Sequence, residues 1–102
     1  MPTEVEYAWA AGFIEGEGCF FSNGVYAVQL RITQVNLEPL TRLQAIIGGR
    51  INGPYNPPSH RGKPYYQYSL RSSYLKAHLR HMWNHLSETR QNQYLQQVDK
   101  VS

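Results

Sequence analysis

Three sets of side chains in this sequence have types and spacings that could do chemistry. The first is a pair of carboxylates, Glu15 and Glu17, separated by one glycine, where an apolar segment of small residues meets the aromatic run Cys19-Phe20-Phe21. If a helix ends near Gly18, both acids sit in its last turn, where the macrodipole disfavours negative charge by roughly 0.3–1 kcal/mol each. A cationic group is therefore expected beside them. The second set is a scatter of Arg, Asn and Gln, the residue types that make bidentate contacts with base edges, in segments that read as strands. The third is His78, His81 and His85, whose spacing of three and four suits transition-metal ligation. No carboxylate or cysteine accompanies those histidines, so a solvated or phosphate-facing surface is the expected role.

The acids need a helix to carry them, and residues 5 to 17 read as one. Glu4 and Glu6 lie near its positive end. Ala8, Gly12 and Gly16 recur every fourth residue and form one smooth stripe. Two interior glycines cost roughly 1 kcal/mol of helix propensity each relative to alanine, and close packing against a second backbone explains their presence.

The polar set needs a sheet. Residues 19 to 23, a turn at Asn23-Gly24 and residues 25 to 35 read as a hairpin whose second strand alternates Val28, Leu30 and Ile32 with Gln29, Arg31 and Thr33. Asn36 is a suitable N-cap for a helix over 37 to 47, which Gly48-Gly49 ends. Residues 50 to 55 read as a third strand broken by Gly53-Pro54. Residues 56 to 64 form a loop carrying His60, Arg61 and Lys63. A fourth strand over 65 to 71 places Tyr66, Tyr68 and Leu70 on one face and Tyr65, Gln67, Ser69 and Arg71 on the other. Ser72 or Ser73 is expected to cap a helix with the stripe Leu75, Leu79, Met82, Trp83 and Leu86, and a mostly polar helix follows over 88 to 101.

The order α-β-β-α-β-β-α-α predicts a single α+β domain over residues 1 to 102, with helices on one sheet face. The opposite face then presents Asn23, Gln29, Arg31, Thr33, Arg50, Asn52, Tyr65, Gln67 and Ser69. Solvated antiparallel sheets are polar in any case, but this face carries no acid. It reads as a nucleic-acid platform, with His60, Arg61 and Lys63 reaching phosphates.

Composition agrees without demanding that reading. Ten Lys plus Arg against seven Asp plus Glu give a net charge of +3, a mild excess that permits a nucleic-acid partner. From Arg31 to His85 the only acid is Glu38. The single cysteine, Cys19, excludes an internal disulfide and reads as a small buried strand residue. No span approaches the ~20 apolar residues of a membrane helix, and the N-terminus lacks a basic-then-apolar signal pattern. An intracellular location, cytoplasmic or organellar, is expected, with no secretion and no membrane partner.

The nonapeptide Ala10-Ala-Gly-Phe-Ile-Glu-Gly-Glu-Gly18, after Tyr7-x-Trp9 and before Cys19-Phe-Phe, resembles the signature of the LAGLIDADG homing endonucleases. The predicted α-β-β-α-β-β-α order also resembles that family's core, a saddle-like four-stranded sheet. The resemblance implies a metal-dependent, site-specific double-strand DNA endonuclease, intron-encoded, that cuts a long pseudo-palindromic site. Motif helices pack at a twofold axis, which implies a homodimer joined through Ala8, Gly12 and Gly16 with Glu15 alongside. The metal-binding acid is Glu17, with the Gly16 backbone as a weak second ligand. Glu at both acidic positions departs mildly from the Asp common in the family. The implied ion is Mg²⁺, with Mn²⁺ an alternative and Ca²⁺ expected to bind without supporting cleavage. Gln34 resembles a residue that orders water, and Arg90 stands where the family often has Lys near the scissile phosphate. Arginine can stabilise a developing phosphorane but stays protonated and cannot act as a general base. Two alternatives remain at this level. One is a catalytically weak relative that serves as a DNA-binding regulator or, with RNA as partner, a splicing maturase. The other is a structural homodimer whose stripe is only packing.

Overall fold

A computed structural model describes residues 1–22, 24, 27–58 and 62–101. Asn23, His60 and Arg61, expected at the DNA, lie outside the described residues. The elements are α1 (Glu4–Glu17), β1 (Gly18–Phe21), β2 (Gln29–Gln34), α2 (Leu37–Ile47), β3 (Arg50–Tyr55), β4 (Tyr65–Leu70), α3 (Ser72–Met82), a 3-10 turn (Trp83–His85) and α4 (Glu88–Lys100). Thr3 starts α1 with a reciprocal capping box to Glu6, and Asn36 and Ser87 cap α2 and α4. Neither Ser72 nor Ser73 caps α3. Arg71 occupies that position with no side-chain cap, so α3 begins one residue earlier than a serine cap allows.

The four strands are antiparallel in the order β1-β2-β4-β3. Their register sorts the sheet into two faces. Phe20, Leu30 and Leu70 align across β1, β2 and β4, and Ile32 pairs with Tyr68, which pairs with Ile51. Phe20, Leu30, Ile32, Tyr68 and Leu70 are buried beneath Ala10, Ala11 and Ile14 of α1, Leu40, Leu43 and Ile47 of α2, and Leu75 and Met82 of α3. Full burial of each large apolar side chain is worth roughly 1.5–3 kcal/mol. The alternation legible in β2 and β4 is thus set by which residues face the helices.

Three local expectations are corrected by the register. β3 is not broken at Gly53-Pro54. It continues through a cis peptide and a register shift between Asn52 and Tyr55, and it can do so because β3 is an edge strand, where a proline need not donate to a ladder. Cys19 is exposed rather than buried, because it pairs with Arg31 on the polar face. β2 is Gln29–Gln34, with Ala27 and Val28 outside the strand; the start expected at residue 25 lies outside the described residues.

The turn from α2 into β3 shows why two glycines are needed. Gly48 and Gly49 have φ of +80° and +108°, and a Cβ on Gly49 would lie 2.6 Å from the Tyr68 hydroxyl. Tyr68 donates that hydroxyl to the Gly48 carbonyl, and burial pushes its pKa well above the ordinary phenol value.

Candidate functional site

The C-terminal end of α1 is where the acids, the small stripe and the last helix meet. Helix ends leave carbonyls without intrahelical partners, and α1 has no basic residue in its last turn. The missing cation arrives from α4. Arg90 Nη2 donates to the Glu15 carbonyl at 2.7 Å and Nη1 to the Gly18 carbonyl at 2.6 Å and Gln93 Oε1 at 2.8 Å. The guanidinium is largely covered, with its Nε 4.0 Å from Glu15 Oε2.

Glu15 answers in the other direction. Its Oε1 accepts from the Ser87 N–H at 2.6 Å and its Oε2 from the Ser87 hydroxyl at 2.9 Å. Ser87 Oγ in turn accepts from the Arg90 N–H at 3.1 Å and caps α4. The acid at the unfavourable end of α1 therefore sits at the favourable start of α4. The Ser87 hydrogen bonds, chiefly the backbone one, with Arg90 adding a smaller attraction, hold its carboxyl below the ordinary glutamate range.

The same face of α4 shields the free edge of β1. Gln93 Oε1 accepts from the Phe20 N–H at 3.4 Å and Gln97 Oε1 from the Ser22 N–H at 3.0 Å. Four residues of helix advance about 6 Å and two residues of strand about 6.6 Å, so the two spacings match. Side chains of α4 take the place of a fifth strand at an edge that would otherwise be open for pairing. Sequence reasoning gave Ser87, Gln93 and Gln97 no role. The signal available was the Arg90, Gln93, Gln97 spacing, which puts polar groups on one helical face.

Glu17, by contrast, is exposed, and no side chain among the described residues pairs with its carboxylate. Gln34 closes β2, opposite Tyr66 and two residues beyond the Gly18–Ile32 pair, so it lies at the strand end that meets the C-terminus of α1. Among the described residues no three His, Cys, Asp or Glu side chains come together in one chain. Two of the three histidines are engaged with Tyr7: the His78 Nδ1 lies 2.8 Å from its hydroxyl and the His81 ring stacks on its ring, while His85 is exposed.

Ala8, Gly12 and Gly16 are exposed along α1, and among the described residues a Cβ built on Gly12 or Gly16 meets nothing within 4 Å. Val5, one turn earlier on the same stripe, is 77% exposed. The core thus uses Tyr7, Ala10, Ala11 and Ile14 and leaves the small stripe uncovered.

The polar sheet face assembles as the alternation required. Cys19, Arg31, Ser69 and Arg50 form one row across the sheet, and Thr33, Gln67 and Asn52 form the next. Gln29, Arg31, Thr33, Asn52, Gln67 and Ser69 line a shallow groove of about 390 Å³. Arg31 lies over the Phe21 ring, 4.1 Å from its centroid. Among the described residues the other five side chains of the groove make no hydrogen bond or ion pair. Tyr65 stands beside Tyr55 at the outer strand pair, and Lys63 is exposed.

No family model matches the sequence, and no curated protein matches it. Among solved structures, the chain is similar to two of the homing endonuclease I-CvuI. One is in complex with its target in the presence of 2 mM Ca, the other in complex with the I-CreI target in the presence of 2 mM Mg with the DNA not cleaved. Both match at 21% identity and a TM-score of 0.64, covering 92% of this chain. The chain spans 64% of the length of the structures it matches. With α1, α2 and α3 stacked on one face of a four-stranded antiparallel sheet and α4 along its β1 edge, this chain has the LAGLIDADG homing endonuclease fold.

Proposed function

We propose that the chain is a site-specific DNA endonuclease that acts as a homodimer and hydrolyses phosphodiesters with a divalent cation, Mg²⁺ in the first instance. The observation that carries this reading is the exposed Glu17 carboxylate, without a side-chain partner among the described residues, at the end of an exposed small-residue stripe. Two α1 helices meeting along Ala8, Gly12 and Gly16 would bring two such carboxylates together at a twofold axis. That I-CvuI is seen in complex with DNA targets, in the presence of Ca or Mg, supports the substrate and the class of cofactor.

A hard cation fits the donor set, because carboxylate and backbone carbonyl oxygens are its preferred ligands. Glu17 of each chain would hold it, with the Gly16 carbonyl as a weak second ligand. Since Glu17 is, among the described residues, the one acid at this end of α1 without a side-chain partner, both copies are needed to complete the site. When bound, such an ion lowers the pKa of water and neutralises charge on phosphate oxygens.

The chain's own residues do the rest. The polar groove faces base edges, where Asn, Gln and Arg can pair bidentately, and Lys63, with Arg61 of the same loop, reaches phosphates. The Gln34 amide orients water near the end of α1. Arg90 and Ser87 fix the helix turn that carries Glu17, so that the carboxylate is held in place before DNA arrives. A palindromic or nearly palindromic site follows from the twofold axis, one half for each sheet. An intracellular compartment suits such a substrate.

A specific observation favours a second reading, a DNA-binding regulator or splicing maturase with weak cleavage. The Arg90 guanidinium is occupied by the Glu15 and Gly18 carbonyls and is not free to meet a phosphorane. Incubation of the chain with a randomised duplex library and Mg²⁺, beside Glu17→Gln, separates the readings. Cleaved products that vanish with Glu17→Gln support the endonuclease, and binding without cleavage by the unaltered chain supports the regulator. Sedimentation of Gly12→Val tests the dimer: among the described residues a Cβ at Gly12 meets nothing within 4 Å, so association lost with unfolding temperature unchanged supports an interface at the stripe.

A further inference from the structure

At the other end of the groove, away from Glu17, lies a cavity of about 620 Å³ lined in part by Gln29, Gly49, Arg50, Ser69, Arg71 and Tyr74. We propose that this cavity is an anion subsite that seats one backbone phosphate of the DNA, with Arg71 as its principal ligand beside Arg50. The proposal rests on the nucleic-acid reading of the sheet and adds to it a fixed outer contact.

Three observations carry it. Arg50 and Arg71 both line the cavity, no acid does, and among the described residues neither guanidinium has a hydrogen-bond or ion-pair partner. Two unpaired like charges beside one cavity repel each other, and an anion between them relieves that repulsion. A guanidinium also offers a planar fork that matches phosphate oxygens. Second, the cavity is continuous with the base-facing groove, because Gln29 and Ser69 line both. Third, the rim carries the donors that phosphate contacts use: the Ser69 hydroxyl and the Tyr74 phenol, the latter 58% exposed.

Position sets what the contact does. From Gln34 to Gln29, β2 advances five residues, about 17 Å, and stacked base pairs advance about 3.4 Å each. With β2 laid along the duplex and the twofold axis at the Glu17 end, as proposed above, the cavity sits about five base steps outward from Gln34. A phosphate held there fixes the register of the half-site without reading a base. Arg71 is then a sequence-independent contact, unlike Gln67 or Asn52 in the groove.

The test is the salt dependence of affinity of the full chain for a random-sequence duplex, measured by fluorescence anisotropy in Ca²⁺. Arg71→Gln is compared with Lys76→Gln, which removes an exposed cation outside the cavity. The expected result is a three- to tenfold weaker affinity for Arg71→Gln and a slope of log affinity against log salt shallower by about one, with Lys76→Gln unchanged and thermal unfolding the same in all three. An unchanged slope for Arg71→Gln, or equal loss in both variants, overturns the subsite while leaving the nucleic-acid reading in place. An unaltered chain that binds no duplex strikes down that reading and the subsite with it.

Discussion

The joint between α1 and α4 and the polar face of the sheet are both rich in polar side chains, and they use them in opposite ways. At the joint, Glu15, Ser87, Arg90, Gln93 and Gln97 spend their hydrogen bonds on one another and on the chain ends of α1 and β1. On the sheet, Gln29, Thr33, Asn52, Gln67 and Ser69 have no partner among the described residues. Residue type alone does not separate the two regions, since both hold Arg and Gln. What separates them is whether the fold brings an unsatisfied backbone group within reach. Helix ends and strand edges supply such groups, and the middle of a paired sheet does not. Free donors and acceptors on a paired surface are available to a partner, whereas those at the joint are committed to the fold.

Glu17 lies two residues beyond Glu15 of the joint and has no side-chain partner among the described residues, and it gives the largest expected effect. Glu17→Gln should lower cleavage more than about a hundredfold, since several kcal/mol of transition-state stabilisation are lost with the ion, while duplex binding and thermal stability stay near those of the unaltered chain. Cleavage that persists would place the chemistry elsewhere.

Arg90→Ala breaks the comparison from the joint side. It removes charge-assisted bonds to two carbonyls, and a loss of about 2–4 kcal/mol in urea unfolding is expected, partly restored by Arg90→Lys. Full stability with lost cleavage would instead assign Arg90 to the phosphate. Gln67→Ala probes the sheet: stability should stay within about 0.5 kcal/mol, while base preference at one position of each half-site relaxes by about 1–3 kcal/mol. A stability loss as large as that of Arg90→Ala would erase the distinction between the regions.

The smallest effect is a pH dependence. Because Glu15 is held below its usual value of 4.5, its contribution is fully present above that value and fades as pH falls through the lowered one. Glu15→Gln should flatten the acid limb of a stability-against-pH curve without changing the curve near neutrality in shape. An acid limb identical to that of the unaltered chain would mean the Ser87 contacts carry no protonation-linked stability.

Much of this was legible in the sequence because it is local. The bounds of α2, its Asn36 cap and the alternation of β2 and β4 follow from periodicity over a few residues, and the nonapeptide from residue 10 to 18 pointed to the fold found. The spacing of Ala8, Gly12 and Gly16 was legible as one stripe for the same reason, and the structure leaves those residues exposed. The expectation that a cation must compensate the end of α1 was sound, but its source was not readable. Glu15 and Ser87 are 72 residues apart in sequence and Glu15 and Arg90 are 75 apart, and no local pattern encodes a pairing across that distance.

By itself, then, the sequence determined which residues form helices and strands, which strand faces are polar and that the acids at the end of α1 need a counter-charge. Only the tertiary structure decided that Arg90 supplies that charge beside Glu15, that Glu17 has no side-chain partner among the described residues and that Arg50 and Arg71 line one cavity. The physical reason is that periodicity fixes the direction of a side chain relative to its own element, whereas its partner is fixed by which elements the core packs side by side.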